Sequence, residues 1–395
     1  MNYQSSLFSL CNKIQRGNLT VVLPSGKKKQ FGNPKEKEVV LLVHKTGYFR
    51  RWFKEGTLGF GESYMDGWWD VEQDDIAGLI RIMFLNNFQK AIKRDLLLLA
   101  RLGFSYLKTR NTLKQSKKNI SHHYNLSNEF YSLMLDKSMT YSCGYQKKSA
   151  DSLEKMQEQK YEHVCKKLQL KKGDTLVDIG CGWGGMLIYA AKKYGVKGYG
   201  CTLSKPQVEY AQEKIKKLKL EGKITVELQD YRKIKGTFDK CVSIGMFEHV
   251  GQENYNEFFS VVKKILKPGG ICVLHTIGSN KLSRARGDPW FGKYIFPGSS
   301  LPRLYQMTHA LDKQRFITSD VENLRNHYAV TLTHWYNNFK KNISKVSFGK
   351  RFNRMWTFYL QSCIASFYYG DNQLYQLQFI KGKEWNLPLT RSYLK

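Results

Sequence analysis

Residues 177–185 read VDIGCGWGG. An apolar strand pattern ends in Gly180, Gly182 and Gly184 and runs directly into the helical stretch GMLIYAAKKYG. Glycines at alternate positions let the backbone approach a ligand closely, and a strand-to-helix turn aims backbone N–H groups at it. Such turns serve several kinds of nucleotide-binding sheet, so the neighbouring residues must narrow the choice. Asp178 stands within the strand two positions before the first glycine, and no Lys-Ser/Thr follows to make a phosphate-binding loop.

Working outward, the same rhythm continues on both sides. The strand-like TLVDIG, VKGYGCTL, ITVELQD, FDKCVSIGMF and GGICVLHTIG are interleaved with the helix-like SLEKMQEQKYEHVCKKLQL, SKPQVEYAQEKIKKLKL and ENYNEFFSVVKKIL. That alternation predicts an α/β fold with a doubly wound, mostly parallel, Rossmann-like sheet covered on both faces. Past residue 280 the pattern breaks and resumes as aromatic-rich helical stretches at 319–341 and 348–369. Toward the N-terminus, NLTVVLPSG, EVVLLVH and GTLGFGESYMDGWWD read as alternating segments, followed by an amphipathic helical pattern around 75–107. The chain is therefore expected to divide into a smaller N-terminal α+β domain (1–106), a basic linker (107–120) and a larger domain (121–395).

The 64 Lys and Arg against 33 Asp and Glu give a net charge of +31, which calls for a polyanionic partner: nucleic acid or an anionic membrane. No window reaches the roughly 18 consecutive apolar residues of a membrane span; DLLLLARLGFSYL (95–107) is the nearest and is broken by Arg101. The N-terminus lacks the basic-then-apolar pattern of a signal peptide. Eight cysteines stand singly, with no CxxC pair to suggest a zinc site, and several lie in apolar strands, as expected of buried thiols in a reducing cytoplasm.

A second feature demands chemistry. In SIGMFEHVG (243–251) an apolar run ends in Glu248 beside His249. Together with HHYNLSNEFYSLMLDKSMTYSCGYQ, VDIGCGWGG, CTLSKPQ, LQDYR, LKPGGICVLHTIG, DPWFGKYIFPGSSLP and NHYAVTLTHW, in that order, it resembles the cyclopropane-fatty-acyl-phospholipid synthases. The resemblance runs from about residue 18 to 380, including GESYMDGWWD, and extends to the mycolic-acid cyclopropane synthases, which lack the long N-terminal domain.

The resemblance implies an S-adenosylmethionine-dependent enzyme that adds a methylene group to the cis double bond of a phospholipid acyl chain. Methyl transfer leaves a carbocation, and a weak, well-placed base must remove a proton from the new methyl to close the ring. In the family that base is a bound bicarbonate. Carried over residue by residue, its cage is Cys143, Glu248, His275, Ile277 through its backbone, and Tyr328; His249 has no assigned contact. Cys363 matches a second cysteine treated as an active-site residue, although its spacing in YLQSCIASF also suits a packed helical thiol. The implied cofactor contacts are Tyr141 and Ser142; Asp178, Gly180, Cys181, Gly182, Trp183 and Gly184; Thr202, Leu203, Ser204 and Gln207; and Asp230 with Tyr231. The second strand usually ends in an acid that holds the ribose. Here Thr202, Ser204 and Gln207 would supply neutral hydrogen bonds instead. Tyr368 stands where the family pattern tends to carry an arginine.

With the charge, the resemblance implies a cytoplasmic protein peripheral on the inner face of the membrane. Its partner would be an anionic bilayer with unsaturated acyl chains, not nucleic acid, and a homodimer is left open. The rival within the fold is a methyltransferase that leaves a methyl branch without closing a ring.

Overall fold

A computed structural model describes residues 3–88, 128–281, 287–345, 348–383, 385 and 387–394. The stretches read as linker (107–120) and as apolar segment (95–107) lie outside the described residues. The chain forms two compact units, and each is assembled from separate segments. The first takes 1–123, 285–297 and 339–371; the second takes 124–284, 298–338 and 372–395.

The described helices, in chain order, are α1 (Tyr3–Cys11), α2 (Gly47–Met65), α3 (Ile76–Leu85), α4 (Asn128–Ser132), α5 (Leu153–Leu168) and α6 (Gly185–Tyr194). They continue with α7 (Lys205–Lys217), α8 (Tyr255–Ile265), α9 (Pro289–Tyr294), α10 (Leu304–Lys313), α11 (Arg325–Asn342) and α12 (Lys350–Tyr369).

In the first unit, strands β1 (Asn18–Val22), β2 (Lys28–Gly32), β3 (Glu38–Val43) and β4 (Trp69–Val71) lie in the order β2-β1-β3-β4. The segment GTLGFGESYMDGWWD is not an alternating strand: its first ten residues belong to α2, and only Trp69–Val71 pairs in the sheet. Gly59 and Gly61, two apart, mimic a period of two, whereas the side chains that pack recur at helical spacing. Phe60 and Tyr64, four apart, both meet the Trp69 ring, at 4.6 and 5.0 Å between centroids. Gly61 faces the Trp290 indole, where an added Cβ would lie 2.4 Å from the ring. Helix α12 joins the same core through Phe358, 5.7 Å from Phe60, and Arg354 donates to the Trp69 carbonyl at 2.8 Å.

The second unit is built on β5 (Thr175–Ile179), β6 (Lys197–Thr202), β7 (Ile224–Leu228), β8 (Phe238–Ile244), β9 (Leu266–Ser279), β10 (Phe316–Asn323) and β11 (Asn372–Lys381). Their order is β10-β11-β9-β8-β5-β6-β7. Strands β5 to β9 pair in parallel, while β11 is antiparallel to both β9 and β10. One apolar cluster packs residues of α5, α6 and α7 on the sheet, such as Val164, Leu187 and Val208. A second packs α8 and α10 on it, with Phe258, Phe259, Val262 and Leu311. The expected doubly wound sheet is present. Two local readings change: 319–323 ends a strand rather than beginning a helix, and β11 was not foreseen. Its sequence, NQLYQLQFIK, sets Gln373, Gln376 and Gln378 among apolar residues, yet all three are buried.

The chain leaves β5 toward β6 and returns on its other side as β8. The carboxyl end of β5 is therefore the point where the winding reverses, and in open α/β sheets ligands bind there.

Candidate active site

The glycine turn occupies that end of β5. Gly180, Gly182 and Gly184 all have positive φ, at 83°, 54° and 80°, in the left-handed region that glycine adopts without strain. The N–H groups of Gly180 and Cys181 donate to the Cys201 carbonyl at 2.9 and 3.0 Å, which ties the turn to β6. No atom lies within 4 Å of the position a Gly182 Cβ would take, so this flank of the backbone is open to a ligand.

Asp178 is buried one residue before the end of β5, and its Oδ1 has no hydrogen-bond partner. Burial pushes its carboxyl up to about 7, against the opposing pull of the Lys160 ammonium. At the end of β6, Thr202 Oγ1 donates to Gln207 Oε1 at 2.8 Å, and Leu203 is 75% exposed. Trp183 Nε1 donates to Asn128 Oδ1 at 2.8 Å, and Tyr131 stands edge-on to the Trp183 ring at 5.2 Å. Burial raises the Cys181 thiol well above its ordinary pKa, so it is a packing residue and not a thiolate. Asp230, after β7, accepts from the Arg232 guanidinium at 2.7 and 3.0 Å, which lowers its carboxyl pKa. Tyr231 packs on Phe258 at 5.5 Å.

The strands on the other side of β5 supply a second group. Ile244, ending β8, pairs in register with His275 of β9. Glu248 follows in the next turn and accepts from the Ile277 N–H at 2.6 Å through Oε1. Its Oε2 has no partner, and burial pushes the carboxyl up to about 7. His275 Nδ1 lies 3.0 Å from the Gln376 side-chain amide, while its Nε2 is buried without a partner. Burial, reinforced by the positive charges of Lys160 and Lys167, holds this imidazole well below its ordinary pKa and therefore neutral.

Residues 140–146 connect the two groups. A Cβ on Gly245, at the end of β8, would be 3.8 Å from Ser142. Helix α5 grips this strap. Gln157 Nε2 donates to the Ser142 carbonyl at 2.8 Å, Lys160 Nζ donates to Ser142 Oγ at 3.0 Å, and the Tyr145 N–H donates to the Met156 carbonyl at 2.8 Å. From α11, Thr331 Oγ1 accepts from the Gly144 N–H at 3.0 Å and stands 4.0 Å from Cys143 Sγ. Cys143 is fully buried, which raises its thiol pKa and keeps it a neutral S–H. The Tyr141 ring stacks on Trp335 at 5.0 Å, and Trp335 meets Tyr328 edge-on at 5.9 Å. Cys143 thus meets α11 through Thr331, and Tyr328 is carried by the same helix. Cys363 is on α12, in the first unit, with burial again raising its thiol pKa.

Sequence reading missed Gln157, Lys160, Thr331, Trp335 and Gln376 as parts of this region. Lys160 is the most instructive. It is fully buried, and its Nζ sits 4.3 Å from the Tyr161 ring centroid. Desolvation brings its pKa down to about 8. Gln157, Lys160 and Tyr161 share one face of α5 by their spacing, and nothing in the sequence marks that polar face as buried.

A seven-stranded, mostly parallel sheet with a glycine turn at its reversal point is the fold of S-adenosylmethionine-dependent methyltransferases. Within that class, the chain belongs to the mycolic acid cyclopropane synthetase family, whose profile matches residues 111–377. It is 41% identical over 359 residues to the cyclopropane-fatty-acyl-phospholipid synthase of Escherichia coli strain K12, covering 89% of this chain and 90% of that one. A probable fatty acid methyltransferase of Pseudomonas putida is 37% identical over 284 residues, covering 69% and 72% of the two chains. The crystal structure of mycolic acid cyclopropane synthase CmaA1 complexed with SAH and CTAB is 32% identical and superposes with a TM-score of 0.62, covering 67% of this chain and 98% of that one.

Proposed function

We propose that this protein transfers a methylene group from S-adenosylmethionine to the cis double bond of an unsaturated acyl chain in membrane phospholipid, closing a cyclopropane ring with bicarbonate as the base. The reading is carried by one observation: two buried polar atoms without partners, Glu248 Oε2 in the turn after β8 and His275 Nε2 on the neighbouring strand β9, stand on the side of β5 opposite β6. A buried acceptor and a buried ring nitrogen left unpaired each cost free energy that a small polar ligand would recover. S-adenosylmethionine, when bound, supplies an electrophilic methyl group. The open flank at Gly182 and the unpartnered Asp178 Oδ1 fit its amino-acid portion.

In this reading the alkene carbons take the methyl group, and the positive charge left on the acyl chain is sheltered from water by the buried strap and its rings. Glu248 would hold the bicarbonate by accepting the hydrogen of its hydroxyl, with the Ile277 N–H keeping the Glu248 carboxylate in place. The Ser142–Cys143 backbone and Tyr328 complete the enclosure. Proton loss from the new methyl then closes the ring, and the electron pair of that C–H bond becomes the third ring bond. The thiol of Cys143 forms no covalent bond in this scheme.

The rival outcome, a methyl branch without a ring, has relatives on its side, among them the probable fatty acid methyltransferase of Pseudomonas putida and the tuberculostearic acid methyltransferase of Mycobacterium tuberculosis. Lipid mass spectrometry of cells with and without the protein separates the two. Ring closure predicts a gain of CH2 with the double bond consumed, so that ozonolysis no longer cleaves the chain there. A retained double bond beside a new methyl would establish the rival. The +31 charge is proposed to hold the protein on the inner, anionic face of the membrane, with the N-terminal region (1–106) as the lipid-associated part. Among the described residues no helix is long and apolar enough to cross a membrane.

A further inference from the structure

We infer that Gln376 is a positioning residue: it locks the His275 imidazole in the tautomer that carries its proton on Nε2, and so presents a neutral N–H donor to the site. The inference rests on the reading above for what that donor serves. Its geometry is independent of that reading.

Gln376 of β11 and His275 of β9 are direct partners in the antiparallel ladder. Both are buried to 1% exposure or less, so neither side chain can turn to water. The Gln376 amide nitrogen stands 3.0 Å from His275 Nδ1. With the amide nitrogen facing the ring, Nδ1 is the acceptor and the single proton of a neutral imidazole sits on Nε2, while Gln376 Oε1 is left buried without a partner. The neighbouring strand agrees. Glu248, just past the β8 residue that pairs with His275, offers only an unpartnered acceptor at Oε2. A lone pair on Nε2 would add a second acceptor beside it. An N–H there supplies the complement, so that one face of a small hydroxyl-bearing anion meets a donor and the other an acceptor. Neutrality comes from the surroundings, since burial disfavours the charged ring and the ammonium groups of Lys160 and Lys167 add to that opposition. Gln376 thus acts on the reaction through His275 and does not touch the reacting atoms.

Nitrogen-15 NMR of the full-length protein labelled at histidine reads the tautomer directly, with the His275 signals assigned by their loss in His275→Asn. The wild type is expected to show a protonated Nε2 and a pyridine-type Nδ1. Gln376→Met keeps the side chain's length while removing the donor, and should give a mixture of the two tautomers. In the same variant the bicarbonate concentration for half-maximal turnover should rise about tenfold, the usual size of an effect from a group that orients a ligand-binding imidazole. Calorimetry should find S-adenosylmethionine affinity unchanged, showing that the fold survives. A proton on Nδ1 in the wild type would overturn the inference, as would a Gln376→Met protein with an unaltered tautomer. Wild-type turnover indifferent to bicarbonate, together with an Nε2 proton that shifts in Gln376→Met, would sink the bicarbonate reading and leave the role of Gln376 standing.

Discussion

Glu248 sits in a place where charge is costly. Its carboxyl moves from 4.5 to about 7 on burial, against the opposing pull of the Ile277 N–H, its own backbone N–H and the Thr276 hydroxyl. A group that holds its proton more tightly when folded contributes its full stability below about pH 4.5 and loses it as pH rises through 7. Glu248→Gln removes that loss. The ligand-free variant should melt at a higher temperature than wild type at about pH 8, and the two curves should converge near pH 4.5. Identical curves at the higher pH would show that the carboxyl pays no desolvation cost. The same variant should keep its S-adenosylmethionine affinity while turnover falls on the order of 10²–10³-fold, the worth of one preorganised polar group. Gly182→Val places a branched side chain at φ 54° on the open flank of the turn. Calorimetry should find cofactor binding abolished while circular dichroism finds the fold intact, and undiminished affinity would move the cofactor elsewhere.

At the scale of elements, α5 controls the strap that carries Tyr141, Ser142 and Cys143. Lys160 Nζ reaches Ser142 from this helix, and its charge lowers the Asp178 pKa against burial. Lys160→Met should therefore let the Asp178 pKa climb beyond about 7. Cofactor affinity at neutral pH should then fall in the variant and recover as pH rises and Asp178 ionises. An affinity that stayed flat across that range would separate Lys160 from Asp178. None of this was legible in SLEKMQEQKYEHVCKKLQL, which reads as an ordinary amphipathic helix. The βα rhythm, the glycine turn and the Glu248 strand end were legible because each is a local pattern. Strand β11 was not, since the buried Gln376 and Gln378 look like surface residues until their partners, His275 and the Lys167 carbonyl, are known. Gln378 and Lys167 are distant in sequence, and pairing of that kind leaves no local trace. The 56–70 stretch failed for the opposite reason: its glycines imposed a strand-like period on residues that pack as a helix.

At the scale of the whole molecule, the +31 charge predicts docking on anionic membranes by screened attraction. Co-sedimentation with vesicles should rise with their anionic lipid fraction. It should drop as salt shortens the Debye length from about 10 Å at 0.1 M to about 3 Å at 1 M. Equal binding to neutral and anionic vesicles, or preference for duplex DNA at the same ionic strength, would refute it. The division into two units has a consequence for how the protein is made. The first unit needs 339–371, which brings Phe358 and Arg354 against Trp69, and the second needs β11, which lies between β9 and β10. A ribosome must therefore have released residues through 371 before the first core can close and through 381 before the second, even though domains commonly fold during synthesis from the N-terminal end. Until then the aromatic faces of α2 and the edge of β9 stay uncovered. Nascent chains stalled before residue 372 should remain protease-sensitive and bind chaperones throughout, and those stalled beyond the C-terminus should become resistant in both units together.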